Sequence, residues 1–320
     1  MLELALLTGN SNPALAEKIA SQLKEKLVPC EVGCFSDGEI SISIDESLRG
    51  KHVFILQSIC NSLSKQGEKL SVNDTLMELL VLCDAARRGN AEKITAVVPY
   101  LGYARQDRKA KPREPITAKL VTDLIVRAGV HDLIAVDLHS DQIEGFVDCY
   151  FGNVTVAQLV PPTIKKIGFD AKDTVVVSTD SGGAKKAKRL ADRLSGEMAI
   201  VHKHRPKPNA SFVTHVVGDV NGKNALLFDD IVDTGGSLVN AAQACLDNGA
   251  KKVAAFVTHP VLSDDAFAKI EASNLEKLFV TDTIPLKRES SKIDVVSIAP
   301  TLASVIHSVY AGESVSSLFK

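Results

Sequence analysis

The feature that most constrains this chain is its resemblance to itself. Gly50-Lys51 precedes the apolar run HVFILQS (52–58), and Gly222-Lys223 precedes NALLFDD (224–230). Each run leads into a helical pattern and then a second similar segment, ARRGNAEKITAVVP ending at Pro99 or DNGAKKVAAFVTHP ending at Pro260. Gly50 and Gly222 are 172 residues apart, while Lys93 and Lys252 are 159 apart, so the first copy holds 13 additional residues. They fall near Asn61–Val72, whose polar sequence NSLSKQGEKLSV reads as a loop. A fixed repeat of this kind implies two similar units meeting near residues 150–160.

The units themselves are α/β. The runs HVFILQS, ITAVVPY (94–100), LIAVDLHS (133–140), VVVSTDSGG (175–183), ALLFDDIVDTGG (225–236) and VAAFVTHP (253–260) are rich in Val, Ile and Leu, with little alternation. Such runs suit strands buried on both faces. Helical patterns over Thr75–Arg88, Ile116–Ala128, Gly183–Leu194 and Ser237–Asn248 separate them. Strand–helix alternation predicts mainly parallel central sheets flanked by helices.

Charge and composition exclude some classes of function. A net charge of −2 over 320 residues provides no global basic field of the kind a nucleic-acid binder uses. No run of about 18 apolar residues predicts a membrane span. The opening MLELALLTGNSN has an acidic Glu3 and no basic segment, so it reads as a first strand and not a signal peptide. Cys30, Cys34, Cys60, Cys83, Cys149 and Cys245 are scattered without a C-x-x-C pair, as expected for free thiols in a reducing cytoplasm.

The copies differ at the end of the repeated strand. The first has Gln57-Ser58-Ile59-Cys60, and the second has Asp229-Asp230-Ile231-Val232-Asp233-Thr234-Gly235-Gly236-Ser237. Gly235 and Gly236 allow backbone geometries closed to other residues, so amide groups can converge on an anion. The helix starting near Ser237 adds its positive end. Thr234 and Ser237 add hydroxyl donors. The result is a phosphate cradle with no basic residue. Asp229 and Asp230 are not phosphate ligands; carboxylates there suit the hydroxyls of a sugar diol, or a metal.

This loop resembles the type I phosphoribosyltransferase fold, and the rest of the chain resembles one family in it, the ribose-phosphate diphosphokinases or phosphoribosyl pyrophosphate synthetases. FSDGE (35–39), YARQDRK (103–109), VDLHSDQ (136–142), STDSGG (178–183), HKHRPKPN (202–209), THPVLSDDA (258–266) and ESVSSLF (313–319) look like the family's blocks, in its order. The resemblance implies two phosphoribosyltransferase-like domains: 1–155 for nucleotide and subunit contacts, and 156–303 for ribose 5-phosphate and the catalytic loop. A C-terminal helix and tail, 304–320, would pack back on the first domain.

The implied reaction transfers the β,γ-diphosphoryl group of ATP to O1 of ribose 5-phosphate, with Mg²⁺ as cofactor. By resemblance, Asp229, Asp230, Asp233, Thr234, Gly235, Gly236 and Ser237 bind ribose 5-phosphate. Ser237 stands where many relatives have Thr, and the hydroxyl is kept. Phe35, Asp37 and Glu39 look like the adenine-binding loop, which in the family reaches into a neighbouring subunit. Arg105 and Gln106 resemble ATP phosphate contacts, with Asp107 and Arg108 beside them. His139 and Asp180 resemble the Mg²⁺ ligands; Mg²⁺ prefers oxygen donors, so the resemblance and not the chemistry selects His139. Lys203 and Arg205 look like the catalytic pair, a point charge and a planar fork on a Pro-rich loop.

Ser47, Arg49, Arg113, Ser314, Ser316 and Phe319 match a regulatory site for phosphate and ADP. Pro112, Gly152 and the insert near 61–72 depart from the family pattern there, which predicts altered regulation. The resemblance implies at least a homodimer and, as often in the family, a homohexamer. The competing reading is a non-catalytic synthetase-associated subunit. Such subunits carry an insert in the catalytic loop and lose site residues, whereas here the insert lies elsewhere and the residues are present.

Overall fold

The computed structural model describes residues 2–64, 67–204 and 213–319, with the side chains of residues 203, 204, 213 and 214 excepted. The chain divides into two compact units. Unit 1 holds residues 1–155, 283–285 and 297–320, and unit 2 holds 156–282 and 286–296.

In unit 1, β1 (Glu3–Thr8) leads to α1 (Pro13–Leu23), and β2 (Cys30–Cys34) pairs antiparallel with β3 (Ile40–Ile44). Then come β4 (Lys51–Leu56), a small hairpin of β5 (Ser62–Leu63) and β6 (Lys69–Leu70), α2 (Val72–Arg88), β7 (Lys93–Val98), α3 (Thr117–Arg127), β8 (Asp132–Val136) and β9 (Tyr150–Val154). The central sheet is parallel, in the order β1-β4-β7-β8-β9.

In unit 2, α4 (Val160–Ile164) precedes β10 (Thr174–Ser178), α5 (Ala184–Arg193), β11 (Glu197–His204), β12 (Val213–Val217), β13 (Asn224–Val232), α6 (Gly236–Asp247), β14 (Lys252–Pro260), α7 (Ala266–Ala272), β15 (Leu278–Thr281) and β16 (Ile293–Val296). Its sheet runs β12-β11-β10-β13-β14-β15-β16, parallel except for the β11–β12 pair. Helix α8 (Ala299–Ala311) returns to unit 1, where it packs on α1 and Tyr310 Oη donates to the Leu2 carbonyl at 2.7 Å.

Local sequence explains the boundaries. Asn12 caps α1 by accepting from the Leu15 amide, and Pro13 fits the first turn, where no N–H partner is needed. Ser71 and Asp74 form a reciprocal capping box on α2, so that helix starts at Val72, earlier than its apolar periodicity predicts. The insert read as a loop therefore becomes a short hairpin plus a helix cap. The strands are buried on both faces: Val53 and Ile55 face the core under α2 and α3, while Phe54 and Leu56 are also buried. The non-alternating apolar pattern reports this.

The two sheets superimpose in register. Leu4, His52 and Lys93 form one rung, and Thr174, Asn224 and Lys252 form the matching one. Each copy inserts an antiparallel strand pair after the helix that follows its first strand, β2–β3 after α1 in unit 1 and β11–β12 after α5 in unit 2. The Phe35–Glu39 turn joins the first pair, and residues 205–212 join the second. The turn singled out for adenine and the stretch after Lys203 thus follow equivalent strands, β2 and β11, of the duplicated fold.

Candidate active site

Arg105–Gln106, His139 and Asp180 follow strands β7, β8 and β10, and Asp229–Ser237 spans the end of β13 and the start of α6. Ligands of parallel α/β sheets bind outside the carboxyl ends of the strands, because loops and helix N-termini converge there.

The unit 2 site is built around β13 and α6. Gly235, at φ +74°, caps α6 without any side-chain cap. An added Cβ on Gly236 would meet nothing within 4 Å, so space lies open above the first helical turn. The loop's carbonyls are held from one side. Leu262 N donates to Val232 O at 3.0 Å, Ser263 N to Asp233 O at 3.1 Å and Lys269 Nζ to Thr234 O at 3.3 Å. No cis peptide occurs among the described residues, and in a trans peptide the N–H points opposite to the C=O. The amides of Asp233, Thr234 and Gly235 therefore turn away from the 262–269 segment, as an anion cradle needs. Leu262 and Asp264 adopt φ of +45° and +52° in this clamp, the strained backbone common at functional sites. Sequence reasoning matched the THPVLSDDA block without finding this role.

Asp229 is fixed from both sides. Its Oδ1 accepts the Asp230 amide at 2.9 Å, and its Oδ2 accepts a short hydrogen bond from Thr179 Oγ1. Burial and the neighbouring Asp230 push its carboxyl up to about 7, against the opposing pull of Thr179. Asp230 is 6% exposed and pairs with Lys186 Nζ at 3.4 Å. Asp180 Oδ1 accepts the Gly183 amide at 3.0 Å. A Cβ on Gly183 would lie 2.8 Å from Ser178 Oγ, 3.9 Å from Asp180 Oδ1 and 4.0 Å from Asp229 Oδ1. Three oxygens thus converge over a residue with no side chain. Thr179, Gly183 and Lys186 were missed as contributors; the only hint was their place in or beside STDSGG.

Lys203 lies in β11, where its backbone pairs with Thr214. Its side chain and the whole of Arg205 lie outside the described residues.

In unit 1 the Phe35–Glu39 turn closes through Phe35 N to Glu39 O at 2.8 Å, Gly38 N to Phe35 O at 2.9 Å and Glu39 N to Asp37 Oδ1 at 3.2 Å. It leaves the Phe35 ring 59% exposed. Arg105, also exposed, follows a tight bend in which Tyr103 has φ +65° and its hydroxyl meets Asn73 Oδ1. Gly102 is required there, since a Cβ would lie 2.5 Å from Ile59 O. Gln106 Oε1 accepts from Thr117 Oγ1 at 2.6 Å. His139 is exposed just after Asp137, at φ +37°, and Leu138 N donates to Asn153 Oδ1 at 3.0 Å.

The whole chain then decides the family. Over 322 aligned residues, covering 99% of this chain and 98% of the relative, it is 48% identical to a ribose-phosphate pyrophosphokinase of Caldanaerobacter subterraneus subsp. tengcongensis. The chain belongs to the ribose-phosphate pyrophosphokinase family. Residues 4–129 match the profile described as the N-terminal domain of ribose phosphate pyrophosphokinase, and residues 203–320 match the phosphoribosyl synthetase-associated domain. A Thermosipho africanus ribose-phosphate pyrophosphokinase is 45% identical over 99% of this chain and 98% of its own. The crystal structure of phosphoribosylpyrophosphate synthetase from Mycobacterium smegmatis superimposes with a TM-score of 0.88 at 38% identity, covering 97% of this chain and 99% of that one.

Within this family member, the residues matched to a regulatory site all lie in unit 1. Ser47 and Arg49 are exposed after β3, and Arg49 N donates to Ser47 Oγ at 3.4 Å. Arg113 is exposed at φ +70° directly after Pro112. Ser314 Oγ and Ser316 Oγ are 3.0 Å apart, with Phe319 partly buried nearby in the chain. Gly152 sits in β9, where a Cβ would approach Tyr150 Oη at 3.0 Å.

Proposed function

We propose that the chain is a ribose-phosphate diphosphokinase, converting ATP and ribose 5-phosphate into AMP and 5-phospho-α-D-ribose 1-diphosphate. The observation that carries this is the Asp229–Ser237 segment: a half-buried carboxylate held by Thr179 and the Asp230 amide, followed by amides turned to an open helix N-terminus. The full-length similarity to enzymes of that name favours a catalyst over a non-catalytic associated subunit.

Chemically, O1 of ribose 5-phosphate attacks the β-phosphorus of ATP. The O1–P bond forms, the bond from the β-phosphorus to the bridging α,β oxygen breaks, AMP leaves and the O1 proton is released. The loop amides and the α6 N-terminus would hold the 5-phosphate, and Asp229 would accept from the ribose hydroxyls. Lys203 and Arg205 would neutralise charge developing on the transferring group, the main demand of phosphoryl transfer. Phe35 would stack on adenine, with Asp37 and Glu39 accepting its amine, and Arg105 and Gln106 would hold the ATP phosphates.

No group of three or more His, Cys, Asp or Glu among the described residues could hold a metal by itself. Asp180 Oδ1, which accepts the Gly183 amide, is an oxygen donor of the kind Mg²⁺ takes; the ion keeps its waters and binds through one or two carboxylates plus substrate phosphates. Asp180 and His139 would hold it, and when bound it would neutralise charge on the ATP phosphates.

Unit 1 would then serve the nucleotide and subunit contacts, and unit 2 the sugar phosphate. A homo-oligomer, at least a dimer, and a cytoplasmic location accompany the reading. No helix among the described residues is long and apolar enough to cross a membrane. Phosphate and ADP would regulate through Ser47, Arg49, Arg113, Ser314, Ser316 and Phe319, with the response altered by Pro112, Gly152 and the insert hairpin. The deciding experiment incubates the protein with ATP, ribose 5-phosphate and Mg²⁺ and quantifies AMP and phosphoribosyl pyrophosphate. Equal, ribose-phosphate-dependent formation of both supports the reading; a folded, oligomeric sample that forms neither overturns it.

A further inference from the structure

The register of the two sheets shows which unit 1 residues stand where unit 2 carries its candidate sugar-phosphate site. Thr8 and Leu56 close the β1–β4 pairing where Ser178 and Phe228 close the β10–β13 pairing. One and two residues on, Gly9 and Asn10 stand at the places of Thr179 and Asp180, and Gln57 at that of Asp229. The helices align as well: Arg88 and Lys93 end α2 and begin β7, as Asp247 and Lys252 end α6 and begin β14, both pairs 159 residues apart. The same spacing puts Glu78 at the place of Ser237.

The chemistry is inverted between the copies. Two carboxylates, Asp180 and Asp229, become two amides, Asn10 and Gln57, and the hydroxyl of Ser237 becomes a carboxylate. In unit 1 these groups bind each other. Glu78 Oε2 accepts from Asn10 N at 3.1 Å and Gln57 Nε2 at 2.6 Å, and its Oε1 accepts from Asn10 Nδ2 at 2.7 Å. Gln57 Oε1 in turn accepts from Ser11 N at 3.2 Å and Ser11 Oγ at 2.7 Å. Glu78, Asn10 and Gln57 are 1%, 2% and 1% exposed. A Cβ on Gly9 would lie 2.5 Å from Gln57 Oε1, so the place of Thr179 is closed. A buried carboxylate held by three N–H donors is held as a bound anion would be.

The network has an output. Asn10 Nδ2 also donates to Val32 O at 3.1 Å. Strand β11 pairs with β10 over four rungs, whereas the equivalent β2 forms a separate sheet with β3, and the segment just before β2 meets β1 through the Leu6–Leu27 bridge and Val28 N to Leu6 O at 2.8 Å. The Asn10–Val32 bond is thus made at the middle of β2, three residues before Phe35.

We infer that Glu78 is a built-in ligand of the unit 1 site, a positioning residue that holds Asn10 against β2 and so sets the Phe35–Glu39 turn. The first half of this inference stands on unit 1 alone; its catalytic consequence rests on the proposed role of the Phe35 turn in binding ATP. Glu78→Gln places an N–H₂ group among donors and breaks the network. Hydrogen exchange of the amides in residues 30–39 is expected to quicken by about tenfold or more, the loss of roughly one charge-assisted hydrogen bond. Exchange in the unit 2 sheet should be unchanged. In the AMP-forming assay KM for ATP should rise about tenfold while KM for ribose 5-phosphate stays within about twofold.

Asn10→Ala, which leaves Glu78 and Gln57 in place but cuts the bond to Val32, should give the same exchange signature and serves if Glu78→Gln does not fold. Unchanged exchange at 30–39, or a uniform rise over all of unit 1, overturns the inference. Phe35→Ala keeps the two ideas apart. If it leaves KM for ATP unaltered while exchange responds to Glu78→Gln, the positioning role stands and the adenine assignment falls.

Discussion

Thr179→Val changes little in shape and removes one hydrogen bond, from Thr179 Oγ1 to Asp229 Oδ2. Thr179 is 3% exposed, so no bulk water replaces the lost donor. The Asp230 amide remains on Oδ1 at 2.9 Å. Asp229 already has its carboxyl raised from 3.8 to about 7 by burial and by Asp230, and Thr179 opposes that rise. Losing it raises the carboxyl further. A bond to a charged group contributes about 1.5 kcal/mol or more, so the acidic limb of kcat/KM for ribose 5-phosphate should move up by about one pH unit. A site half ionised near neutral pH then loses roughly fivefold of its ionised form there, and the loss disappears at higher pH. The assay is a pH profile of AMP formation at limiting ribose 5-phosphate, repeated at limiting ATP. An unmoved acidic limb, or an equal loss that persists at alkaline pH, would refute the argument that Thr179 acts through the ionisation of Asp229.

Other outcomes follow from the same geometry. Asp229→Asn removes a carboxyl whose ionisation the fold resists: in the native protein this cost is absent below pH 3.8 and develops fully as pH passes about 7. The variant's melting temperature should therefore gain on wild type as pH rises through that window, while its affinity for ribose 5-phosphate falls. Gly235→Ala forces a side chain to φ +74°, costing about 1–2 kcal/mol, read as a melting temperature lower by about 2–4 °C for each kcal/mol. Gly236→Ala meets no neighbour within 4 Å, so it should leave melting nearly unchanged and raise KM for ribose 5-phosphate by filling the open cradle. Lys203→Ala should lower turnover by at least ~10²-fold if the ammonium stabilises the transferring group, measured as kcat at saturating substrates.

The proposed regulatory subsite is the least legible part of the sequence. Ser47, Arg49, Arg113, Ser314, Ser316 and Phe319 come from distant segments, and no local pattern ties them together. Pro112 precedes a left-handed Arg113, a backbone constraint that only the φ of +70° exposes. The insert near 61–72 misled for a related reason. Polar residues suggested a loop, but Ser71 and Asp74 cap a helix and Ser62–Leu63 pairs with Lys69–Leu70. Two-residue strands carry too little periodicity to be recognised without their partner.

By itself the sequence determined the α/β class, the duplication and the Gly-rich loop proposed to hold an anion. Burial on both faces of a parallel sheet demands unbroken apolar runs, and a phosphate cradle demands small, flexible residues at a helix start. Both requirements are local and leave marks in consecutive residues. Only the tertiary structure decided that Thr179 holds Asp229, that Lys186 pairs with Asp230, and that the 262–269 segment turns the loop's carbonyls aside. The same holds for Glu78, which reads in the sequence as a polar position in an ordinary helix. Its partners Asn10 and Gln57 are 68 and 21 residues away. Hydrogen bonds across such separations depend on strand register and helix placement, which are set by the packing of the whole unit and by no neighbouring residue.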